Sequence, residues 1–316
     1  MVLIVIDSKI LIKFVVINNF EQMVKVSKLG FVRLVFLVLI FMQFSISIFG
    51  QDLKYIFIGH CYQPDTQGDK VDYRLEEFDF SAYKGVWLGG DVCSEALLKY
   101  STVKYIDSLF NLGNPETHWT MGNHDARNGN WEYITDYSYR NTYYAYSSNK
   151  LTRIVLNTNL VPTDCESMDE QYQIIINVCD TIQDSKYLIL IMHHGLWDNV
   201  PGLPPTSEYA QSHLQYWNSN CYDVNSNFVN SVYPKLIEVE QKGIQVICIM
   251  GDIGDRTNKF EVISDDGIQF LGSGLYHNEA DNNVLVLDYK LPEYDLSWEF
   301  VNLDSLLLEQ QKSTDY

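Results

Sequence analysis

Five short segments of the sequence end an apolar run with residues that can bind a metal ion or carry a proton. They are Gly59-His60, Gly90-Asp91, Gly122-Asn123-His124-Asp125, His193-His194 and Gly251-Asp252. Imidazole nitrogens with carboxylate or amide oxygens suit Zn, Mn or Fe rather than an ion that prefers thiolates. Each segment alone is ordinarily a turn, because glycine beside Asn or Asp favours one. Five such segments after apolar runs in one chain predict a shared site.

The apolar runs before these segments predict buried β-strands. Examples are "KYIFI" at 54–58 and "YLILI" at 187–191. Runs with little polar alternation are typical of strands covered on both faces. Apolar residues at helical spacing over 94–112 and 227–242 predict helices, and 259–303 predicts four further strands. We call the five polar segments the polar tips of the strands. Because ligands bind at the carboxyl ends of strands in open α/β sheets, we expect these tips to lie at one edge of the sheet.

The charge balance argues against one class of partner. The chain has 316 residues and a net charge of −19, and from residue 51 onward it has 17 basic and 39 acidic residues. A surface this acidic repels a polyanion, so nucleic acid is not expected as a partner. A small phosphorylated substrate would need a local positive feature, which a bound metal ion can supply.

Residues 1–50 differ from the rest of the chain and predict a secretory signal peptide. From Met23 onward, three basic residues precede an apolar run over 34–42 and a mixed polar segment. This order is typical of a cleaved signal, with Met23 as the functional start and 51–316 as a single mature domain. A membrane anchor is the alternative, but the 16 residues of 34–49 are short for a span of about 20. The expected location is secreted or periplasmic, without a stable membrane span after cleavage.

The six cysteines do not follow a CxxC pattern. That argues against a structural zinc knuckle. In an exported protein some of them can form disulfide bonds. Buried free thiols are an equal alternative, and the sequence does not choose between the two.

The order GGD, GNHD, HH and GD on successive strand ends resembles the calcineurin-like metallophosphoesterase superfamily. The resemblance covers the chain from residue 54 to the terminal strands and is most specific at Gly122-Asn123-His124-Asp125. It implies an α/β fold built as a four-layer αββα sandwich with one or two divalent ions (Mn, Fe or Zn) at the strand tips. It also implies a metal-dependent phosphoric ester hydrolase that cleaves a phosphomonoester or phosphodiester with metal-activated water.

The resemblance assigns roles to the tip residues, and the two arginines that follow the central motif are added because of their chemistry. The implied metal ligands are His60, Asp91, Asn123, His193 and Asp252, with Asp91 as the bridging carboxylate. The implied catalytic residues are His124, as proton donor to the leaving oxygen, and Asp125, which orients His124. The candidate substrate-binding residues are His194, Arg127 and Arg140. An arginine can bind a phosphate through two hydrogen bonds, although a surface ion pair is an equal alternative for Arg127.

Two motifs depart from the superfamily pattern. The superfamily opens with Asp-x-His, whereas this chain has "IGH" at 58–60, so that His60 fits either position. The last motif of the superfamily is Gly-His-x-His, whereas this chain has "GDIG" at 251–254. Asp252 can still bind a metal ion there, but Gly254 has no side chain with which to do so.

These departures leave three readings of the function. The first is an exported phosphoesterase with one ion held well and the other weak or absent, for which Asp65 or Asp255 is a further candidate ligand. The second is a catalytically silent relative that binds a ligand or partner on the same scaffold. The third is a structural surface or adhesion protein without a metal ion. The polar tips favour the first reading.

Overall fold

The structure is a computed structural model that describes residues 52–66, 69–94, 96–127, 130–160, 165–204, 227–253, 259–276 and 279–314. These residues belong to one compact unit, Gln51–Tyr316. The predicted signal peptide over 1–50 lies outside the described residues, and so export stays a prediction. No helix of the described part is long and apolar enough to cross a membrane.

Two β-sheets form the centre of this unit. The described strands are β1 (Leu53–Ile58), β2 (Gly85–Leu88), β3 (His118–Trp119), β4 (Tyr144–Ser148), β5 (Leu151–Val155), β6 (Tyr187–Met192), β7 (Gln245–Met250), β8 (Lys259–Ile263), β9 (Gln269–Ser273), β10 (Asn283–Lys290) and β11 (Asp295–Asn302). The first sheet has the order β11-β10-β1-β2-β3 and the second has the order β4-β5-β6-β7-β9-β8.

Parallel pairing brings the polar tips to one edge of each sheet. In the first sheet, β1 pairs in parallel with β2, and β2 with β3. In the second sheet, β5, β6, β7 and β9 pair in parallel in that order. The tips that follow β1, β2 and β3 therefore share an edge, as do the tips that follow β6 and β7.

The two faces of β6 show why the strands are apolar throughout. Successive side chains of a strand point to opposite faces. Tyr187, Ile189 and Ile191 belong to the apolar cluster that the two sheets share. Leu188, Leu190 and Met192 belong to the cluster beneath the helices of the second sheet. Burial on both faces stabilises the strand by roughly 1.5–3 kcal/mol for each large apolar side chain.

Helices cover the outer faces of both sheets. They are α1 (Tyr73–Glu77), α2 (Tyr100–Phe110), α3 (Asn123–Ala126), α4 (Glu132–Ser138), α5 (Cys165–Thr181), α6 (Tyr233–Gln241) and α7 (Leu303–Thr314). Residues of α1, α2, α4 and α7 contribute to the apolar cluster outside the first sheet. Residues of α5 and α6 contribute to the cluster outside the second sheet. The predicted four-layer αββα sandwich is confirmed.

The helices predicted over 94–112 and 227–242 are each divided in the structure. The first consists of a short 3-10 turn, Ala96–Leu98, followed by α2. The second begins as a π-helix, Phe228–Val232, and continues as α6 with Pro234 in its first turn. Proline is tolerated there because the first N–H groups of a helix have no intrahelical acceptor.

The described cysteines fall into both predicted classes. Cys61, Cys93, Cys179 and Cys248 are buried free thiols. Cys165, the first residue of α5, is disulfide-bonded. The core therefore uses thiols as small apolar groups, while one cysteine near the surface supports a covalent link.

Candidate metal centre

Glycine residues allow the two sheets to touch at the edge that carries the polar tips. A Cβ atom on Gly251, after β7, would lie 2.0 Å from the carbonyl oxygen of Gly89, after β2. A Cβ atom on Gly59, after β1, would lie 2.5 Å from the Cα atom of Gly251. Packed sheets ordinarily lie about 10 Å apart because side chains separate them. The absence of side chains at these glycines brings the next residues of both sheets into one cluster.

His60 lies two residues after β1, and Asp91 lies three residues after β2. Both adopt left-handed backbone conformations, with φ of 50° and 52°. The backbone N–H of His60 donates to the carbonyl oxygen of Gly90 at 2.9 Å. Non-glycine residues in this region are strained and are held there by their surroundings, often at functional sites. Here the conformation turns both side chains towards the contact between the sheets, with His60 Nε2 lying 3.8 Å from Asp91 Oδ2.

Backbone carbonyl groups hold two of the imidazole rings in one tautomer. His60 Nδ1 donates to the carbonyl oxygen of Leu275 at 3.0 Å. His193 Nδ1 donates to the carbonyl oxygen of Gly89 at 2.8 Å. A carbonyl oxygen can only accept, so Nδ1 carries the hydrogen in each ring and Nε2 presents a lone pair. Metal-binding histidines are commonly oriented by such contacts.

Several acceptor atoms converge on His193 Nε2. Asn123 Oδ1 lies 3.2 Å away, Asp91 Oδ2 lies 3.5 Å away, and Asp252 Oδ1 lies 3.8 Å away. His193 is fully buried and Asp91 is 1% exposed. Lone pairs and negative charges this close repel one another unless a proton on Nε2 or a metal cation lies between them. The donor set therefore fits a divalent ion with nitrogen and oxygen ligands.

The burial and hydrogen bonding of Asp252 also indicate that a cation binds here. Its backbone N–H donates to the carbonyl oxygen of His193 at 2.9 Å, which fixes the tip of β7 beside the tip of β6. Asp252 is 5% exposed, and its Oδ2 has no hydrogen-bond partner among the described residues. Leaving a buried charged acceptor unpaired costs more than the roughly 1–3 kcal/mol of a neutral group. A bound cation would remove that cost.

The described residues form two groups that could each hold an ion. One consists of His60, Asp91 and Asp252, and the other of His193, His194 and Asp252. Within each group, one ligand atom of every residue lies within 4.8 Å of the others. The five predicted metal ligands are thus brought together, since Asn123 lies beside His193. His194, predicted to line the site, lies among the ligand atoms.

The carboxylates favour positive charge at the centre. Burial lowers the pKa of His193, but Asp91 and Asp252 outweigh it and raise that pKa to about 10. Burial raises the pKa of Asp91, yet His193 and His60 outweigh it and hold that pKa below its usual range. The electrostatics of the cluster thus stabilise a cation at the point where His193 Nε2 faces the carboxylates.

His124 lies beside the ligand cluster on its more open side. Its backbone N–H donates to Asp91 Oδ1 at 2.8 Å, which leaves Oδ2 directed at the histidines. Its ring stacks on Tyr62 with centroids 4.8 Å apart, and its Nδ1 lies 3.4 Å from Ser94 Oγ. Burial is the largest cause that lowers the pKa of His124, and Asp91 opposes it. The ring is therefore placed next to the cluster without being one of its ligands.

Asp125 is buried in the backbone framework of the site. Its Oδ1 accepts from the N–H groups of Val92 and Cys93, and its Oδ2 accepts from the Gly122 N–H and the Trp119 indole. Burial and the charge of Asp91 raise the pKa of Asp125 to about 7 despite these donors. The carboxylate ties the tip of β2 to the tip of β3. Its hydrogen bonds in the described structure go to these groups rather than to the His124 ring.

The two predicted arginines lie in different places. Arg127 ends α3 at the exposed rim of the site, close enough for its charge to lower the pKa of His124, although less than burial does. The structure does not bring Arg140 to the site, contrary to the prediction. Its guanidinium donates to the carbonyl oxygens of Leu112, Asn114, Pro115 and Thr117 before β3, and of Ser138. These groups surround the amino end of β3, whereas the site lies beyond its carboxyl end.

Some residues of the site were not predicted from the sequence, and some predicted residues lie outside the described part of the structure. Asp255, Gly254 and the side chain of Asp65 are outside the described residues, so their predicted roles are not tested. Tyr62, which stacks on His124, and Thr158, whose Oγ1 lies 2.8 Å from His194 Nδ1, were missed because aromatic and hydroxyl side chains in loops follow no spacing rule. The only signal for Tyr62 was its position two residues after His60.

No protein-family model matches this sequence, and no curated protein sequence matches it. Solved structures with a similar fold include a dimetal phosphatase from Danio rerio, with a TM-score of 0.43 and 8% identity over 78% of this chain and 98% of that chain. A 5'-nucleotidase precursor from Thermus thermophilus has a TM-score of 0.40 and 11% identity, and the NAD nucleotidase of Haemophilus influenzae has 0.41 and 12%. Each of those two matches covers 84% of this chain, but this chain spans only 59% and 56% of the two nucleotidases.

Proposed function

We propose that this chain is a metal-dependent phosphoesterase acting on a small phosphorylated substrate. The observation that carries the proposal is the convergence of imidazole lone pairs, carboxylates and an amide oxygen from five strand ends. Such a set binds a divalent ion of the Mn, Fe or Zn class. When bound, that ion supplies Lewis acidity towards a phosphoryl group. The residues that would hold it are His60, Asp91, Asn123, His193 and Asp252.

The remaining residues of the site have roles that follow from their positions. His124 is within reach of the cluster but outside it, so it donates the proton that the leaving oxygen requires. Arg127 at the rim binds phosphate oxygens through charge-assisted hydrogen bonds. Asp125 holds the tips of β2 and β3 in register through backbone amides. Tyr62, stacked on His124, limits the orientations of that ring.

The test is metal content and turnover on one purified preparation. Inductively coupled plasma mass spectrometry would count ions for each chain, and turnover would be measured with p-nitrophenyl phosphate and bis-p-nitrophenyl phosphate in Mn, Zn or Fe. His124→Ala is expected to keep the metal and lose most turnover, by about 10²–10⁴-fold, because only the proton donor is removed. Asp252→Ala is expected to lose metal and turnover together. Metal-free wild-type protein, or an active His124→Ala variant, would contradict these roles.

A catalytically silent protein on the same scaffold is the second candidate. The altered first and last motifs favour it, because the first does not keep its Asp-x-His pair and Gly254 stands where the last motif has its second histidine. This candidate predicts bound metal without turnover of monoesters, diesters or nucleotides at any pH. Asn123→Ala would then lower metal affinity and change no rate. A structural protein without metal would show no effect of Asn123→Ala except on folding.

Export is a separate proposal that depends on residues 23–50 alone. The basic residues, apolar run and polar segment support a signal peptide that is cleaved before residue 51 or close to it. Expression of the full chain followed by amino-terminal sequencing of the released protein tests this. A released chain that begins at residue 48 or at residue 51 is expected, because cleavage is predicted after Ser47 or after Gly50. An intact amino terminus in the membrane fraction would indicate an anchor.

A further inference from the structure

His194 lies deeper than a residue that lines a substrate cleft would. His194 is 4% exposed, whereas His124 and His60 are only partly buried. Its ring packs edge-on against His193 with centroids 4.5 Å apart. A substrate that enters from solvent meets His124 and His60 first. The position of His194 corresponds to that of a ligand beneath the substrate.

Thr158, in the segment after β5, orients the His194 ring. Thr158 Oγ1 lies 2.8 Å from His194 Nδ1 and 3.2 Å from the backbone N of His194. A hydroxyl oxygen has two lone pairs and can accept both N–H groups. In that tautomer the lone pair of His194 lies on Nε2. The same orientation, with Nδ1 anchored and Nε2 directed inward, holds for His60 and His193.

His194 Nε2 faces the oxygen of Asp252 that lacks a hydrogen-bond partner among the described residues. The two atoms are 3.9 Å apart, and that oxygen is Oδ2. Bonds of about 2.0–2.2 Å from one ion to each atom fit that separation. The other oxygen of Asp252, Oδ1, faces His193 Nε2 at 3.8 Å. One cation can therefore contact all three side chains.

We propose that His194 is a metal ligand and that it holds one divalent transition-metal ion together with His193 and Asp252. The inference rests on the proposed function, because both require a bound metal ion. The superfamily motif after β7 has a second histidine where this chain has Gly254. His194, at the tip of β6, would supply an imidazole in its place. Asp252 also belongs to the group formed with His60 and Asp91. Asp252 would therefore be shared by the two groups, while the bridging role of Asp91 stays a prediction.

Metal binding to the full chain tests this ligand set directly. Metal-free protein would be titrated with Mn²⁺ or Zn²⁺ by isothermal calorimetry, and bound ions would be counted by mass spectrometry. The wild type is expected to bind two ions. His194→Ala is expected to bind one of them at least tenfold more weakly and to retain the other, while Asp252→Ala weakens both. The control is His118→Gln, which alters a buried histidine that hydrogen-bonds Tyr144 outside the cluster and should leave both affinities unchanged.

A second variant keeps the ligand and removes its anchor. Thr158→Val keeps the shape of the side chain and removes the hydroxyl, and it should weaken the same ion by about 10–100-fold. Thr158→Ser should restore wild-type affinity. Circular dichroism would establish that each variant is folded. Wild-type affinity for both ions in His194→Ala and Thr158→Val would overturn the inference and leave the proposed function standing, whereas a wild type that binds no metal would reject the proposed function first.

Discussion

Replacing Gly251 with alanine should separate the two halves of the metal centre. The new Cβ would lie 2.0 Å from the carbonyl oxygen of Gly89 and 2.6 Å from its Cα atom, and both are backbone atoms that cannot rotate away. Real contacts of this type are not closer than 3.0 Å, so the tips of β2 and β7 must move apart by about 1 Å. Gly251 donates to the carbonyl oxygens of Met192 and His193, so the tip of β6 would move with it.

That displacement is large compared with the tolerance of a metal site. Asp91 Oδ2 and His193 Nε2 are 3.5 Å apart and come from opposite sheets. Two ligand atoms on one ion with bonds of about 2.1 Å can be at most about 4.2 Å apart. An added separation of about 1 Å exceeds that limit, and so metal affinity should fall by at least tenfold. Overpacking should also lower the free energy of unfolding by about 1–3 kcal/mol.

Isothermal calorimetry and urea unfolding of the same preparations would measure both effects. Gly113→Ala is the matched control, because its Cβ would meet no atom closer than 3.6 Å, which is ordinary contact. That variant should bind metal as the wild type does. If Gly251→Ala bound metal with wild-type affinity, the contact between the sheets would not be what brings the ligands together.

Three further outcomes follow from the buried polar groups. Asp125→Asn leaves two of four N–H donors without an acceptor and should destabilise the fold by about 3 kcal/mol in urea unfolding. Arg140→Ala should lower the unfolding free energy and leave the KM for phosphate esters unchanged, because its donors hold the amino end of β3; a raised KM would contradict this. Burial first, and then Arg153 and Arg140, lower the pKa of His118 well below 6.5, so the stability it contributes is present above pH 6.5 and lost as the pH falls below that value. Lowering the pH from about 7.5 to about 5 should therefore reduce the free energy of unfolding, measured in urea, more for the wild type than for His118→Gln. Equal reductions in the two proteins would contradict a buried neutral ring.

The proposed metal ligands and the predicted substrate-binding residues differ in how well the sequence predicted their positions. Asp91, Asn123, His193 and Asp252 follow apolar strands, and the carboxyl ends of parallel strands share an edge, so their meeting was predictable. Arg140 follows the same motif in sequence but binds carbonyl groups before β3. Proximity along the chain does not report which end of a strand a loop residue reaches.

The sequence by itself determined the strands, their polar tips and the class of ligand, because strand periodicity and the choice of ligand atoms are local properties of the residues. Tertiary structure alone decided that the glycines bring the two sheets into backbone contact and that His194 lies among the ligand atoms. It also decided which group anchors each imidazole, as when His60 donates to the carbonyl oxygen of Leu275, 215 residues away. The physical reason is that a tautomer, a buried oxygen without a partner and a contact between sheets depend on atoms from distant segments, and no spacing in the chain encodes them.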